Sequence, residues 1–198
     1  TTLLLLPIGN RLVKLAYFIL PKNKDQEESM ATQFLDFSIF ENDYHIGTSA
    51  IANTQLFNET QHMLNIAREN VRRSFDLLIH FDLDRYERLL KNEEYINYLN
   101  EEVIKFTTNA ISAELPIEGS QSIGAFLKIA SDIERIGDHA VNIAQRAKKL
   151  YETNAHFSDE AMSEVGIMSS LTNNILDELK VITHEELLNI VDKVDIIE

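Results

Sequence analysis

The sequence predicts an all-α protein, an antiparallel three-helix bundle followed by a second, partial bundle. Three observations lead there. Apolar residues recur at three- and four-residue spacing through several long runs, which is the helical period. Gly (6) and Pro (3) are scarce in 198 residues, too few for a turn-rich all-β fold. The breaks between the runs are short, and short connections make long helices antiparallel neighbours.

The elements follow in chain order. The chain opens at Thr1 and its first methionine is Met30, as expected of a fragment, a processed product or a cloned domain. Residues 1–21 carry an apolar block, Leu3 to Leu20, closed by Pro21 and the charged stretch KNKDQEE. No basic region precedes the block and no small-residue cleavage site follows it, so a signal peptide fits poorly. Pro7, Asn10, Arg11 and Lys14 interrupt it as a complete transmembrane helix. Three readings stay open: the exit end of a membrane segment, an interfacial helix with Arg11 and Lys14 snorkelling, or a helix packed on the domain. Residues 22–48 are polar and irregular, a linker whose Phe34, Phe37, Phe40 and Tyr44 are expected to pin it to the surface.

Residues 49–151 hold the first bundle. Thr48 or Ser49 is a plausible N-cap for a helix to about Phe81, with Ile51, Leu56, Met63, Ile66, Val71, Leu77 and Leu78 inward. A second helix is expected from about Leu83 to Thr108, burying Leu89, Leu90, Ile96, Leu99, Val103 and Ile104. Pro116 and Gly119 punctuate the next loop, and Ser120 or Ser122 opens a third helix lasting to about Tyr151. Ser158 caps a fourth helix to about Ile182, and a fifth begins near His184. Residues 157–198 thus read as a partial second unit. A weak internal repeat supports this, laying Leu77-Leu78 on Ile175-Leu176 and Leu89-Leu90 on Leu187-Leu188. The helix missing from the second unit would come from a partner chain or from the N-terminal block, which makes a homo-oligomer one expected assembly.

Charge narrows the function. Eighteen basic against 32 acidic residues leave a net −14, which argues against nucleic acid as a partner and suits cation binding. With no Cys there is no disulfide framework, thiol nucleophile or Cys-based zinc site. Glycine-rich phosphate loops, nucleophile elbows and H-E-x-x-H elements are all missing from the sequence, so no enzyme class is indicated. One E-x-x-H is present, Glu59 to His62, but a di-iron bundle needs two of them and two further Glu.

The most informative segment is Ser131 to Ala144, SDIERIGDHAVNIA. Glu134 and Asp138 stand at i, i+4 and share a helix face, with Asn142 extending the row. Ile129, Ile133, Ile136, Ala140 and Ile143 gather on one side, and the acidic pair is expected on the opposite one. For an arbitrary helix this is a solvated acidic face. Ala130, Gly137 and Ala144 recur every seventh position, so a second helix can approach closely there. Gly137 in mid-helix costs about 1 kcal/mol against Ala, which points to a packing requirement. The second helix offers Glu93 and Glu94, with Asn97 four residues after Glu93. If the two helices are neighbours, their carboxylates meet, and hard divalent cations or iron take such oxygen ligands. His139 points about 100° away from the row and is expected to be structural.

This segment resembles the signature of the PhoU family, an acid-x-x-x-Asp element followed by His-Ala-x-Asn-Ile; Glu134, Asp138, His139, Ala140, Asn142 and Ile143 fill those places. The resemblance extends over residues 49–198. It implies tandem three-helix bundles and a divalent or iron ion at the acidic elements, with Glu134 and Asp138 as the best ligands. Glu93 is weaker, because Asn97 replaces the matching Asp; a second-repeat cluster near Asp192 and Asp195 has Val191 where an acid would stand. The run TLLLLPIGNRLVKLA ahead of a PhoU-like region resembles the junction in bacterial type II sodium/phosphate cotransporters. That likeness implies a non-catalytic regulatory domain at the cytoplasmic face of the cell membrane, joined to the transmembrane transport domain of the same polypeptide. The alternative is a free-standing PhoU-type regulator that docks on an ABC phosphate transporter or its sensor kinase.

Overall fold

In a computed structural model, which describes residues 30–40, 48–112 and 117–179, the chain is all-helical. A 3-10 turn at Phe37–Phe40 precedes α1 (Thr48–Ile79), α2 (Leu83–Ser112), α3 (Ile117–Glu152) and α4 (Asp159–Glu178), with no strand among the described residues. The expectations for residues 1–21, Tyr44, Pro116, the fifth helix near His184 and the acids Asp192 and Asp195 lie outside the described residues.

Local chemistry sets the helix ends. Asp82 is the N-cap of α2, its Oδ1 accepting from Arg85 N at 2.8 Å and its carbonyl from Tyr86 N at 3.0 Å. The α1–α2 turn is therefore only His80 to Asp82, and the two helices run antiparallel. At the end of α3, Asn154 takes the left-handed conformation (φ 50°). Its N–H donates to the Tyr151 carbonyl at 3.1 Å, and Ala155 N donates to the Leu150 carbonyl at 3.0 Å. This double bond pattern closes a helix C-terminus, and Asn tolerates the positive φ it needs. Ser158 caps α4, its Oγ accepting from Ala161 N at 3.2 Å.

The helices α1, α2 and α3 pack on one another in all three pairs. Leu56, Met63, Ile96, Leu99, Val103, Phe106, Ala130 and Ile133 form the centre of the core, and Leu77, Tyr86, Leu89, Ala144 and Ala147 continue it toward the α1–α2 turn. Buried Asn70 on α1 crosses to α2, donating from Nδ2 to the Leu89 carbonyl at 3.1 Å and accepting from Asn92 Nδ2 at 3.0 Å. The fourth helix is attached more lightly. Leu176 joins Val71, Phe75 and Ala140, and Asp177 pairs with Arg68 and Arg72 of α1.

Three residues expected inside are exposed: Ile51, Ile104 and Ile129. On α3 the covered side is the small-residue line Ala130, Gly137, Ala144 with Ile133, Ala140 and Ala147, not the Ile129 side. Glu134 is consequently half-buried beside the seam, not opposite it. Close helix approach explains the choice, because small residues admit a neighbouring helix where isoleucines would hold it off.

The stretch 32–40 is anchored by one buried carboxylate. Glu59 Oε2 accepts from Gln33 N at 3.0 Å and Phe34 N at 2.7 Å, and Glu59 Oε1 lies 3.1 Å from His62 Nδ1. Leu35 enters the core, and Phe37 and Phe40 meet Phe106 edge-on at 5.2 and 4.9 Å between ring centroids. The lone E-x-x-H is thus an anchor for backbone N–H groups. No described helix is long and apolar enough to cross a membrane.

Candidate functional site

The acidic residues meet at the α2–α3 contact. Glu93 faces inward from the middle of α2 and is 7% exposed. Neither of its carboxylate oxygens has a hydrogen-bond partner. It occupies the space left by Gly137 on α3. A Cβ built on Gly137 would overlap Glu93 Oε2 and lie 3.1 Å from Glu93 Cδ and 3.2 Å from Ile96 Cδ1. The glycine that costs helix stability in isolation is therefore the seat of a buried carboxyl.

Electrostatics act on that carboxyl in one direction. Burial first, then the charge of Asp138, then that of Glu134, push Glu93 up to about 7 from an ordinary value of 4.5. These causes place both α3 acids within electrostatic reach of Glu93, with Glu134 half-buried and Asp138 exposed. Asn97, the fourth expected ligand, is exposed one turn further along α2. His139 is exposed and borders a groove that faces α4.

The donor chemistry fits a hard cation. An orphaned buried carboxylate, repelled by two neighbours, gains most from a positive charge. Yet among the described residues no three of His, Asp and Glu already converge as a ligand set. Side-chain rotation of Glu134 and Asp138 would have to complete one. The arrangement offers no nucleophile–base pair and no proton relay toward a substrate.

A scan against family models finds one spanning the three helices and this acidic seam: the PhoU domain, matched over residues 60–147. The match covers residues 60–147, less than half of the chain. A curated relative from Methanothermobacter thermautotrophicus, a phosphate-specific transport system accessory protein PhoU homolog, is 31% identical over 132 residues, 61% of this chain and 58% of the relative. Homologs named in the same way are 30% identical over 98 residues in Clostridium acetobutylicum (48% of this chain, 45% of the relative) and 27% identical over 135 residues in Aquifex aeolicus (63% and 61%). The chain spans between 45% and 61% of the length of the curated relatives it matches. No solved structure matches it.

These findings correct two expectations. The reading as the cytoplasmic domain of a sodium/phosphate cotransporter rested on the apolar run before the linker. The curated relatives that this chain matches are named as accessory proteins of a phosphate transport system, not as transporters. The placement within an integral membrane protein, which rested on the same reading, falls with it; no described helix is long and apolar enough to span a bilayer. The apolar run itself lies outside the described residues. A short apolar block with Pro, Asn, Arg and Lys inside it was too weak a signal to carry a membrane assignment.

The sequence had marked Glu93, Glu134 and Asp138 but not what Gly137 does for Glu93. The mid-helix glycine was the available signal, legible as a cost and not as a cavity. Glu59 was missed as an anchor, because hydrogen bonds from irregular backbone leave no periodic trace.

Proposed function

We propose that this chain is a non-catalytic, PhoU-type regulator of phosphate uptake. It acts as an accessory polypeptide that docks on a separate membrane phosphate transporter or on its sensor kinase. The observation that carries this reading is the combination of the PhoU domain at 60–147 with relatives named as accessory proteins of phosphate-specific transport. The absence of a reactive side-chain constellation in the sequence supports a regulatory role over a catalytic one. Residues 157–198 open a partial second unit of the same kind, on which α4 is the first helix.

The second part of the proposal concerns a cation. Glu93, Glu134 and Asp138, with Asn97 as a weaker neutral oxygen donor, hold a divalent or iron ion between α2 and α3. Such an ion would neutralise the seam and tie the two helices together. The ion's charge would then set how tightly α2 and α3 close, and so the shape presented to the transporter.

The test is phosphate uptake in cells lacking the chain. Deletion is expected to leave uptake unrestrained when phosphate is abundant, and the intact chain to restore restraint. Uptake unchanged by deletion, and by restoring the chain, would count against regulation of phosphate transport.

A further inference from the structure

Charge is shared unequally where α4 meets α1. Arg68 and Arg72 stand one turn apart on α1 and converge on a single carboxylate, that of Asp177 on α4. Arg68 is buried, 6% exposed, while Arg72 and Asp177 reach solvent. Glu69, the acid beside Arg68 in sequence, pairs with Arg73. Two guanidinium charges thus meet one carboxylate charge.

The hydrogen bonds show the same mismatch. Nε and Nη2 of an arginine lie on one edge of the guanidinium, a fork that takes two oxygens of a carboxylate or phosphate side by side. In Arg68, Nη1 donates to Asn65 Oδ1 at 3.1 Å and Nη2 donates to Asp177 Oδ1. The buried Nε has no acceptor. Asp177 fills only half of this fork, because its oxygens are shared with Arg72, whose Nη2 lies 2.9 Å from both. A buried N–H of a charged group without an acceptor is costly and rare in a folded protein. A carboxylate is therefore one oxygen and one charge short of what the two arginines offer. A phosphate dianion supplies both: two oxygens for the Arg68 fork, a third for Arg72, and a double negative charge against two positive ones.

We propose that Arg68 and Arg72 form a binding site for a phosphate dianion, free or at the end of a small ester, and that Asp177 is the intramolecular stand-in which phosphate displaces. Asp177 and Leu176 are the chief ties of α4 to the bundle, so displacement loosens α4. The inference deepens the phosphate-linked function proposed above and rests on it for its meaning in the cell. Binding is measured on the purified chain, so its failure is separate from a failure of the uptake experiment.

Inorganic phosphate is titrated into the full chain at pH 8, with ionic strength held constant by sodium chloride, and followed by calorimetry and by hydrogen exchange. Saturable binding is expected, with faster exchange along α4 and unchanged protection in α1 to α3. Asp177→Asn removes the competing charge and should tighten binding by about tenfold, whereas Arg72→Gln should weaken it by about tenfold. Arg72 is exposed enough for its replacement to leave the helices intact, which circular dichroism checks. Arg68→Lys keeps the charge, loses the fork and should weaken binding too. Glycerol 3-phosphate binding more tightly than inorganic phosphate would assign the site to an ester; weaker binding would assign it to the free ion. No saturable binding by the Asp177→Asn chain, or equal binding by the intact and Arg72→Gln chains, would overturn the proposal. So would binding that leaves exchange along α4 unchanged.

Discussion

At Glu93, burial and two neighbouring carboxylates act in the same direction, and the result has a defined pH signature. A carboxyl whose pKa is raised on folding holds its proton more readily in the folded chain. Between about 4.5 and about 7 the folded state therefore binds more protons than the unfolded one, and stability falls as pH rises through that window. The cost is absent below the window and complete above it. Glu93→Gln should flatten this dependence and stabilise the metal-free protein above pH 7 by about 1–3 kcal/mol, read from denaturant melts across pH. Gly137→Ala should act oppositely, costing about 1–3 kcal/mol because the new methyl meets the Glu93 carboxyl and Ile96. In a Glu93→Ala background the same substitution should cost markedly less. Equal costs in both backgrounds would mean that Gly137 serves the helix backbone and not the carboxyl.

At the scale of elements, attachment strength differs along the chain. The stretch 32–40 is held by a buried carboxylate and two aromatic contacts, so Glu59→Ala should remove the hydrogen-exchange protection of the Gln33 and Phe34 amides. The loss of those bonds should cost about 1–3 kcal/mol, since their donors lose a charged acceptor. The helix α4 meets the bundle chiefly through Leu176 and through Asp177 with Arg68 and Arg72. Asp177→Ala should speed exchange along α4 while α1 to α3 stay protected. Uniform acceleration in all four helices would show instead that α4 unfolds only with the whole bundle.

Over the whole molecule, the helical architecture was legible because long amphipathic runs and short breaks are strong signals, and because Ser158 marks a helix start by chemistry that needs no tertiary context. The facing of those helices was less legible. Ile51, Ile104 and Ile129 belong to wide apolar stripes, and a helical wheel does not say which edge of a wide stripe a neighbour covers. On α3 the decision fell to Ala130, Gly137 and Ala144, whose small size only matters once α2 is beside them. Glu93, Glu134 and Asp138 were legible as acids on two neighbouring helices, and the burial of Glu93 was not, because nothing in a sequence distinguishes a Glu that faces water from one seated on a glycine. The membrane assignment failed for a different reason: it rested on a block of sequence outside residues 60–147, the stretch that matches the PhoU domain.

The gathering of Glu93, Glu134 and Asp138 into a cation-responsive seam is the central claim, and thermal melting at pH 8 tests it most directly. The intact chain and a Glu93→Gln, Asp138→Asn variant would be melted with and without Mn²⁺, and again with Mg²⁺ and Ca²⁺. A ligand bound only by the folded state raises stability by about 2.7 kcal/mol at a hundredfold excess over its Kd. For a chain of this size that is a rise of about 5 °C or more, expected for the intact chain and lost in the variant. An unchanged melting temperature with every ion, or an equal rise in both proteins, would contradict the account.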